Sequence, residues 1–598
     1  MAAAAGRITA GLTREAPFRF TIDGEAVEAH PGETIATALL AARRLAARRT
    51  AHRGAPRGLF CAIGVCHDCR MIVDGRANVR TCLEPARPGI TVETQVGFGP
   101  VEPPGTAGGA AADGTVAPGA LEDHEVIVVG GGPAGVRAAV AAAEAGARVL
   151  LLDEAPRPGG QIYRQLPAEI RSGAGDPLGR ARRKGDPLLA AVGRAAVAVR
   201  PGVEVWGVLP DRTVLVQQAG RAGALRAGAL VLATGAYDRP AALPGWTLPG
   251  VITAGGVTAL VKAQGVLPGR RVLLAGTGPL LLAAAAALVR GGARVVGIAE
   301  AAPRRRLAGL LRPGVATQAL GLAAALWRVP LWARHGLLRI EGAERVEEAV
   351  VARVDAQWRP LAGTARSVRV DTIVLGYGLV PSPELAELAG CTLTYDPGRG
   401  GWVPAAEPAR LMATSVPGVF VAGDGAGIGG AEVAAAEGQL AGLGAAAHTG
   451  HLGPAELATR AAPARRALAR LAGFRSVLGD LLRPRPGLYA LATDETIVCR
   501  CEEVAAGEIR AAIDEGARRV TEVRAVTRAG MGLCQGRLCV SGVVGLLERW
   551  GGVPPERAGR FPPRLPARPV GIPVLADPVL ADPALDTLPA PAGGGTAR

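Results

Sequence analysis

The sequence predicts a multidomain α/β protein, and three observations predict it. Its 598 residues exceed what one hydrophobic core usually serves, so about three to five folding units are expected. Two stretches, at 130–135 and 276–281, set glycines between a Val/Leu-rich run and an alanine-rich run, the strand–turn–helix opening of a nucleotide-binding unit. Eight of the nine cysteines fall in two groups of four, one near each end. Composition agrees: 49% of residues are hydrophobic, 3% are aromatic and 85 are glycine, a profile of alanine-rich helices, Val/Leu strands and tight turns.

Residues 1–98 are read as a small β-grasp unit. Phe18-Arg19-Phe20-Thr21-Ile22 alternates as a strand, Asp23-Gly24 turns the chain, a second strand covers 26–29 and a helix about 33–44. Cys61, Cys66 and Cys69 then stand in the order C-x4-C-x2-C, with Cys82 beyond. This is plant-type [2Fe-2S] spacing, in which one loop wraps three thiolates around two irons and a strand brings the fourth. Gly58 and Gly64 suit a loop whose amides turn inward. The rival is zinc, which prefers paired C-x2-C. Residues 99–121, rich in Gly, Pro and Ala without periodicity, read as a linker.

A first dinucleotide-binding domain is expected over 122–244 and 371–450, interrupted by a second over 245–370. A strand over 124–129 breaks into Gly130-Gly131-Gly132-Pro133-Ala134-Gly135 and a helix. Gly130 makes the turn, Gly132 lets the backbone meet a pyrophosphate as Pro133 and Ala134 open the helix, and Gly135 lets helix and strand pack. Asp153, with Glu154 beside it, ends the next strand, where a carboxylate can accept ribose hydroxyls. Gly160-Gln161, Ala233-Thr234-Gly235 and Gly423-Asp424 resemble the three FAD contacts of glutathione-reductase-like flavoproteins. That resemblance implies FAD rather than NAD here and a bond from Asp424 to the ribityl chain. After Gly160 the chain reads Gln161-Ile162-Tyr163, not the Cys-x4-Cys of disulfide reductases, so disulfide reduction is not expected. The second unit, Gly276-Thr277-Gly278-Pro279-Leu280-Leu281, has Leu281 where the third glycine belongs, which pushes helix and strand apart or narrows the phosphate approach. Glu300 is still placed for a ribose. NAD(H), another adenine nucleotide and an empty structural relic all stay open for this site.

Residues 451–490 read as an Arg/Ala-rich helical connector. The second cysteine group, Cys499-Arg500-Cys501 and Cys534-Gln535-Gly536-Arg537-Leu538-Cys539, lies in a small unit over 491–550. Short helices over 508–515 and 520–526 let two loops converge four thiolates, with zinc again the rival. Cys391 has no cysteine neighbour and reads as a small buried apolar residue. The Pro-rich tail, 551–598, repeats Val-Leu-Ala-Asp-Pro at Val574 and Val579 and is expected to lie extended over other domains or to be disordered.

The run Cys-Arg-Cys-Glu-Glu-Val with Gly-Met-Gly-Leu-Cys-Gln-Gly-Arg-Leu-Cys resembles the bacterioferritin-associated-ferredoxin type of [2Fe-2S] domain. Such domains are fused to the FAD-bearing subunits of opine, hydroxyproline and cyanide-forming amine dehydrogenases. The stand-alone ferredoxin closes on C-x2-C; the C-x4-C here matches members of the fused family. Pro244-Gly245-Trp246-Thr247-Leu248-Pro249-Gly250-Val251 and the Gly-Thr-Gly-Pro-Leu-Leu stretch are typical of the same family, and the resemblance covers about Phe18 to Leu547. There the β-grasp unit is often a separate subunit. Its fusion here is similar to the start of the large subunit of heterotetrameric sarcosine oxidase, whose folate-binding domain this chain has no room for. The resemblance implies one FAD, two [2Fe-2S] clusters and a hetero-oligomer, in which a second flavoprotein of the amino-acid-oxidase type oxidises the C–N bond of an amino acid, imino acid or opine. A self-sufficient NAD(P)H-dependent FAD/iron–sulfur oxidoreductase is the alternative; an assembly module with structural cofactors is a third. No motif assigns a catalytic residue beside the flavin.

The formal charge of +15 invites a nucleic-acid reading. Lysine occurs only at Lys184 and Lys262 while arginine is scattered, so no nucleic-acid partner is expected; docking of an acidic protein comes next. Met1 to Phe20 contains Arg7, Arg14 and Glu15 and lacks the apolar run of a signal peptide. The longest apolar stretch, 278–289, is well short of the roughly 20 residues that span a bilayer. A cytoplasmic protein without a transmembrane segment is expected, with peripheral delivery of electrons to a membrane acceptor left open. In that reducing compartment nine cysteines read as ligands or redox groups rather than disulfides.

Overall fold

The computed structural model describes residues 6–100, 121–310 and 316–581. The linker read at 99–121 lies almost wholly outside them, as does 582–598.

Phe18–Ile22 and Glu25–Ala29 pair antiparallel about the Asp23-Gly24 turn. They join Thr91–Glu93, Arg70–Val73 and Arg76–Arg80 in one five-stranded sheet, closed by Phe20, Ile22, Ile35, Leu39, Met71 and Val92. The covering helix is Ile35–Ala41, shorter than expected at both ends. Thr34 caps it by accepting from the Thr37 amide at 3.3 Å, and Arg43 leaves it at φ 66°. Glu33, read as helical, instead accepts from Arg7 Nε at 2.7 Å. Leu12–Arg14 leaves this unit to pair with Ile170–Ser172, and Ile8 N–H donates to the Gly265 carbonyl at 2.7 Å.

The next sheet runs Ala198–Pro201, Val149–Asp153, Glu122–Val129, Arg221–Leu232 and Val419–Val421 in parallel, with Thr213–Gln218 and Glu204–Val208 added antiparallel beside Arg221–Leu232; its central strand ends, Val126 to Val129 and Val149 to Leu152, are Val/Leu runs buried on both faces. Helix Pro133–Ala143 opens at the glycine turn and packs against helix Ala431–His448. A Cβ on Gly438 would overlap the Ala134 carbonyl oxygen, and one on Gly442 that of Ala138, so the two helices meet backbone to backbone. The chain leaves this sheet at Leu232 and returns at Val419. Between them Val251–Thr253, Thr372–Gly376, Arg271–Gly276, Arg294–Glu300 and Leu331–Ala333 form a second parallel sheet.

Helix Pro454–Leu482 leads to three short helices, Ala506–Asp514, Val520–Thr527 and Val540–Gly551, around Ile509, Ile513, Val523, Val543 and Leu546. The described part of the tail lies over other domains: Ala567 N–H donates to the Trp206 carbonyl at 2.7 Å, and Val574 and Val579 bury against Trp206, Leu215, Ala222 and Ala224. Among the described residues no helix is long and apolar enough to cross a membrane.

Candidate cofactor sites

The cysteines of the first group are all buried. Their thiols stand as two hydrogen-bonded pairs, Cys61 with Cys66 and Cys69 with Cys82, the division of two thiolates per iron that a two-iron centre uses. The Cys66 amide donates to Cys61 Sγ at 3.4 Å and the Asp68 amide to Cys66 Sγ at 3.5 Å. Burial pushes the Cys61 thiol up, yet hydrogen bonds from the Cys66 thiol and from the amides of Ile63, Cys66 and Val65 outweigh it and bring it down to about 7. The second group repeats the arrangement, Cys499 paired with Cys539 and Cys501 with Cys534. The Cys501 thiol, opposed by burial and helped by the Leu538 and Gly536 amides, brings Cys534 down to about 7. Gly532 lets the two loops close, since a Cβ there would overlap Cys501 Cβ.

The surroundings fit anionic clusters. Arg48, Arg57, Arg70 and Arg500 are all buried around the first loop, where Asp68 and Glu503 offset them only in part. Nε of Arg48 and of Arg57 has no partner, and burial, with Arg500 nearby, pulls Arg57 down to about 10. Two ferric ions, two sulfides and four thiolates form a dianion, and one-electron reduction makes it a trianion. That charge would balance the buried guanidinium excess.

A cavity of about 510 Å³, within the range of cofactor sites, follows the carboxyl ends of the first parallel sheet, where such folds bind ligands. Gly130 turns there at φ 101°, and a Cβ on it would overlap the Ala233 carbonyl oxygen. A Cβ on Gly135 would overlap the Gly130 carbonyl oxygen. Gly132 differs: the nearest atom to a Cβ there is Gly160 Cα at 3.8 Å, so this glycine opens onto the cavity with Pro133 and Ala134. Asp153 Oδ1 accepts from the Ala155 amide at 2.9 Å, whereas its buried Oδ2 has no partner. Burial pushes this carboxyl up to about 6. Ribose hydroxyls donating to Oδ2 would supply the missing bonds, so the site fits the adenosine end of FAD. Gly160, Gln161, Ala233, Thr234, Gly235 and Asp424 also border the cavity, and Gly423 packs behind Ala134. Asp424 Oδ1 accepts from the Gly429 and Gly430 amides at 3.0 and 3.1 Å.

Glu154 meets Arg568 of the tail, which also lies 3.7 Å from Glu204. Arg568 lines the cavity and was invisible to motif reading because its neighbours, Pro566, Ala567 and Pro569, carry no pattern. Asp238 was missed too; buried, it accepts from Thr253 Oγ1 and the Gly255 amide, both at 2.9 Å. Ile63, between Cys61 and Cys66, lines the same cavity, so the first cluster's loop is part of its wall.

The second glycine turn does not fit NAD. Glu300 is fully buried and already accepts from the Gly278 amide at 3.1 Å and the Ala302 amide at 2.9 Å; burial pushes it up to about 7. Leu482 Cδ2 lies 2.6 Å from where a Gly278 Cβ would stand, and Gly276 packs on the Gly376 carbonyl. The obstruction expected from Leu281 is corrected. Leu281 is fully buried, and Gly376 on the neighbouring strand makes room for it, a Cβ there falling 2.9 Å from Leu281 Cδ1. Stopped-flow mixing with NADH is therefore expected to leave the flavin oxidised over the first seconds. Rapid bleaching would restore the NAD(H) reading.

Three family models match the chain: a 2Fe-2S iron-sulfur cluster binding domain over 15–97, pyridine nucleotide-disulphide oxidoreductase over 124–438 and a BFD-like [2Fe-2S] binding domain over 497–549. An opine oxidase subunit of Agrobacterium tumefaciens (strain Ach5) is 36% identical over 76% of this chain and 91% of its own. Hydrogen cyanide synthase subunit HcnB of Pseudomonas aeruginosa is 34% identical over 74% and 96%. The alpha subunit of sarcosine oxidase from Rhizobium meliloti (strain 1021) is 26% identical over 92% of this chain and 56% of its own. Among solved structures, L-proline dehydrogenase from P. horikoshii shares the fold, with a TM-score of 0.67 at 20% identity over 96% of this chain and 99% of the other.

Proposed function

The chain belongs to the family of these opine oxidase and hydrogen cyanide synthase subunits, and on that premise we propose that it is the electron-transferring FAD and iron–sulfur component of a hetero-oligomeric dehydrogenase acting on the C–N bond of an amino acid, imino acid or opine. It is an FAD-dependent oxidoreductase by family, and its relatives are subunits of multi-subunit oxidases. The observation that carries the reading is the shared wall between sites. Ile63 of the first cysteine loop borders the flavin cavity, and Cys61, Cys66 and Cys534 pack into one core with Phe60, Trp246 and Leu538. Bound FAD would supply a two-electron acceptor beside two one-electron carriers. The chain's own residues would hold it: Gly132 at the pyrophosphate, Asp153 at the adenosine ribose and Asp424 at the ribityl chain.

Substrate oxidation is assigned to a second flavoprotein of the amino-acid-oxidase type. Holding a substrate carboxylate over a flavin commonly takes a bidentate arginine. Arg568 is the one guanidinium among the described residues lining the cavity, and Glu154 and Glu204 hold it. The lone chain is expected not to oxidise proline, hydroxyproline, glycine, sarcosine or opines with an artificial acceptor. Turnover should appear on co-expression with the partner, across an interface of about 1,200 Å² or more. Turnover by the lone chain at the co-expressed rate would overturn this division of labour.

A further inference from the structure

We propose that Asp68 and Arg500 are positioning residues that hold the two cluster loops face to face and couple the clusters electrostatically, so that the electron occupancy of one sets the reduction potential of the other. This rests on the cluster reading above. Arg500 lies between Cys499 and Cys501, and Asp68 between Cys66 and Cys69. Although 432 positions apart in the chain, Arg500 Nε donates to Asp68 Oδ2 at 2.6 Å. The contact is fully enclosed, Arg500 being 2% and Asp68 1% exposed. The guanidinium sits 4.2 Å from the Phe60 ring centre and 4.6 Å from that of Trp246, and its Nη1 donates to the Trp246 carbonyl at 2.8 Å. Asp68 uses its other oxygen for Arg48 Nη2 at 3.0 Å, while its amide donates to the ligand Cys66. Each member of the pair is thus built into a cluster loop.

Stability is a weak reason to bury such a pair, because desolvating two charges offsets most of their attraction. A low-dielectric bridge between two redox centres has a stronger one. Charge added to either cluster is felt across it with little screening. When one electron passes between the clusters, one is oxidised as the other is reduced. The total charge of the pair is unchanged, and neither Asp68 nor Arg500 gains or loses a proton. Docking has separate support: Glu503, at φ 56°, accepts from Thr50 Oγ1 at 2.6 Å and from the His52 amide at 2.8 Å. Removing the ion pair therefore leaves the loops joined.

The test is a redox titration of the full chain followed by electron paramagnetic resonance, with iron and acid-labile sulfide measured on every sample. Arg500→Gln is expected to lower the potential of the cluster at Cys499 to Cys539, and Asp68→Asn to raise that of the cluster at Cys61 to Cys82. The signs are opposite, yet each shift moves the electron toward the N-terminal cluster, by about tenfold in the equilibrium between the two, or about 59 mV. Arg500→Lys, which keeps the charge, should recover most of the wild-type value. Full iron with unchanged potentials overturns the coupling, as do shifts of the same sign in both variants. Iron lost from all three variants assigns the pair to folding and also overturns it. A wild-type protein without iron fails the cluster reading itself, before any potential is measured.

Discussion

Cys66→Ser and Cys534→Ser are each expected to remove about half of a total of roughly four irons and four acid-labile sulfides per chain. The reason is local. Cys66 pairs with Cys61 and Cys534 with Cys501: hydrogen bonds bring the Cys61 and Cys534 thiols down to about 7, while donating to those sulfurs holds Cys66 and Cys501 up. A serine hydroxyl is a far poorer iron ligand at neutral pH, and removing one of two ligands on an iron opens the centre. Each group draws its four thiolates from its own loops, so the untouched half should remain. Cys391→Ser is the internal control: that thiol is buried 3.3 Å from Thr414 Oγ1 and belongs to neither group, so iron should not change. Iron and sulfide analysis of anaerobically purified protein reads the result. Zinc in the native protein, with iron unaffected by one substitution, would overturn that cluster.

Gly132→Val and Gly135→Ala should fail in different ways, although both alter the same turn. Gly132 has an extended backbone, φ −73° and ψ −176°, which valine adopts without strain. Its side chain would enter the cavity where the pyrophosphate belongs. The protein should fold within about 1 kcal/mol of wild type and be purified without FAD. At Gly135 even a methyl overlaps the Gly130 carbonyl oxygen, forcing helix and strand apart at a cost of about 3 kcal/mol. Thermal melting and flavin extraction on the same samples separate the cases. FMN as the extracted flavin, or FAD retained by Gly132→Val, would remove FAD from this cavity.

Much of this architecture was legible because its determinants are local. A Val/Leu run, a glycine turn and an alanine-rich helix are close in sequence, and so the strands Glu122–Val129 and Arg271–Gly276 and the helices after them lie where periodicity put them. The helix at Ile35–Ala41 starts late because Thr34 competes as a cap and stops early where Arg43 turns to φ 66°. Long-range compensation was not legible. Leu281 reads as an obstacle until Gly376, nearly a hundred residues later, is seen to accept it, and no local pattern foretells that Leu482 packs against Gly278. Glu300 looks like a ribose ligand in sequence but spends both oxygens on its own backbone. Arg568 and the Asp68–Arg500 pair belong to the same class, since no spacing rule joins residues hundreds of positions apart.

The burial of the first cysteine loop also bears on biosynthesis. Its cover comes from later in the chain: the Phe60 carbonyl accepts from the Thr253 amide at 3.0 Å, Gly256 presses on the Phe60 and Cys61 carbonyls, and Arg500 closes over Phe60. Before residues 253 and 500 are in place, Cys61, Cys66 and Cys69 are expected to be open to an iron–sulfur donor. Once residues 253 and 500 have docked, the same thiols are sealed. Insertion of the cluster before this cover docks, and partial opening for any later re-insertion, are the expected consequences of that burial.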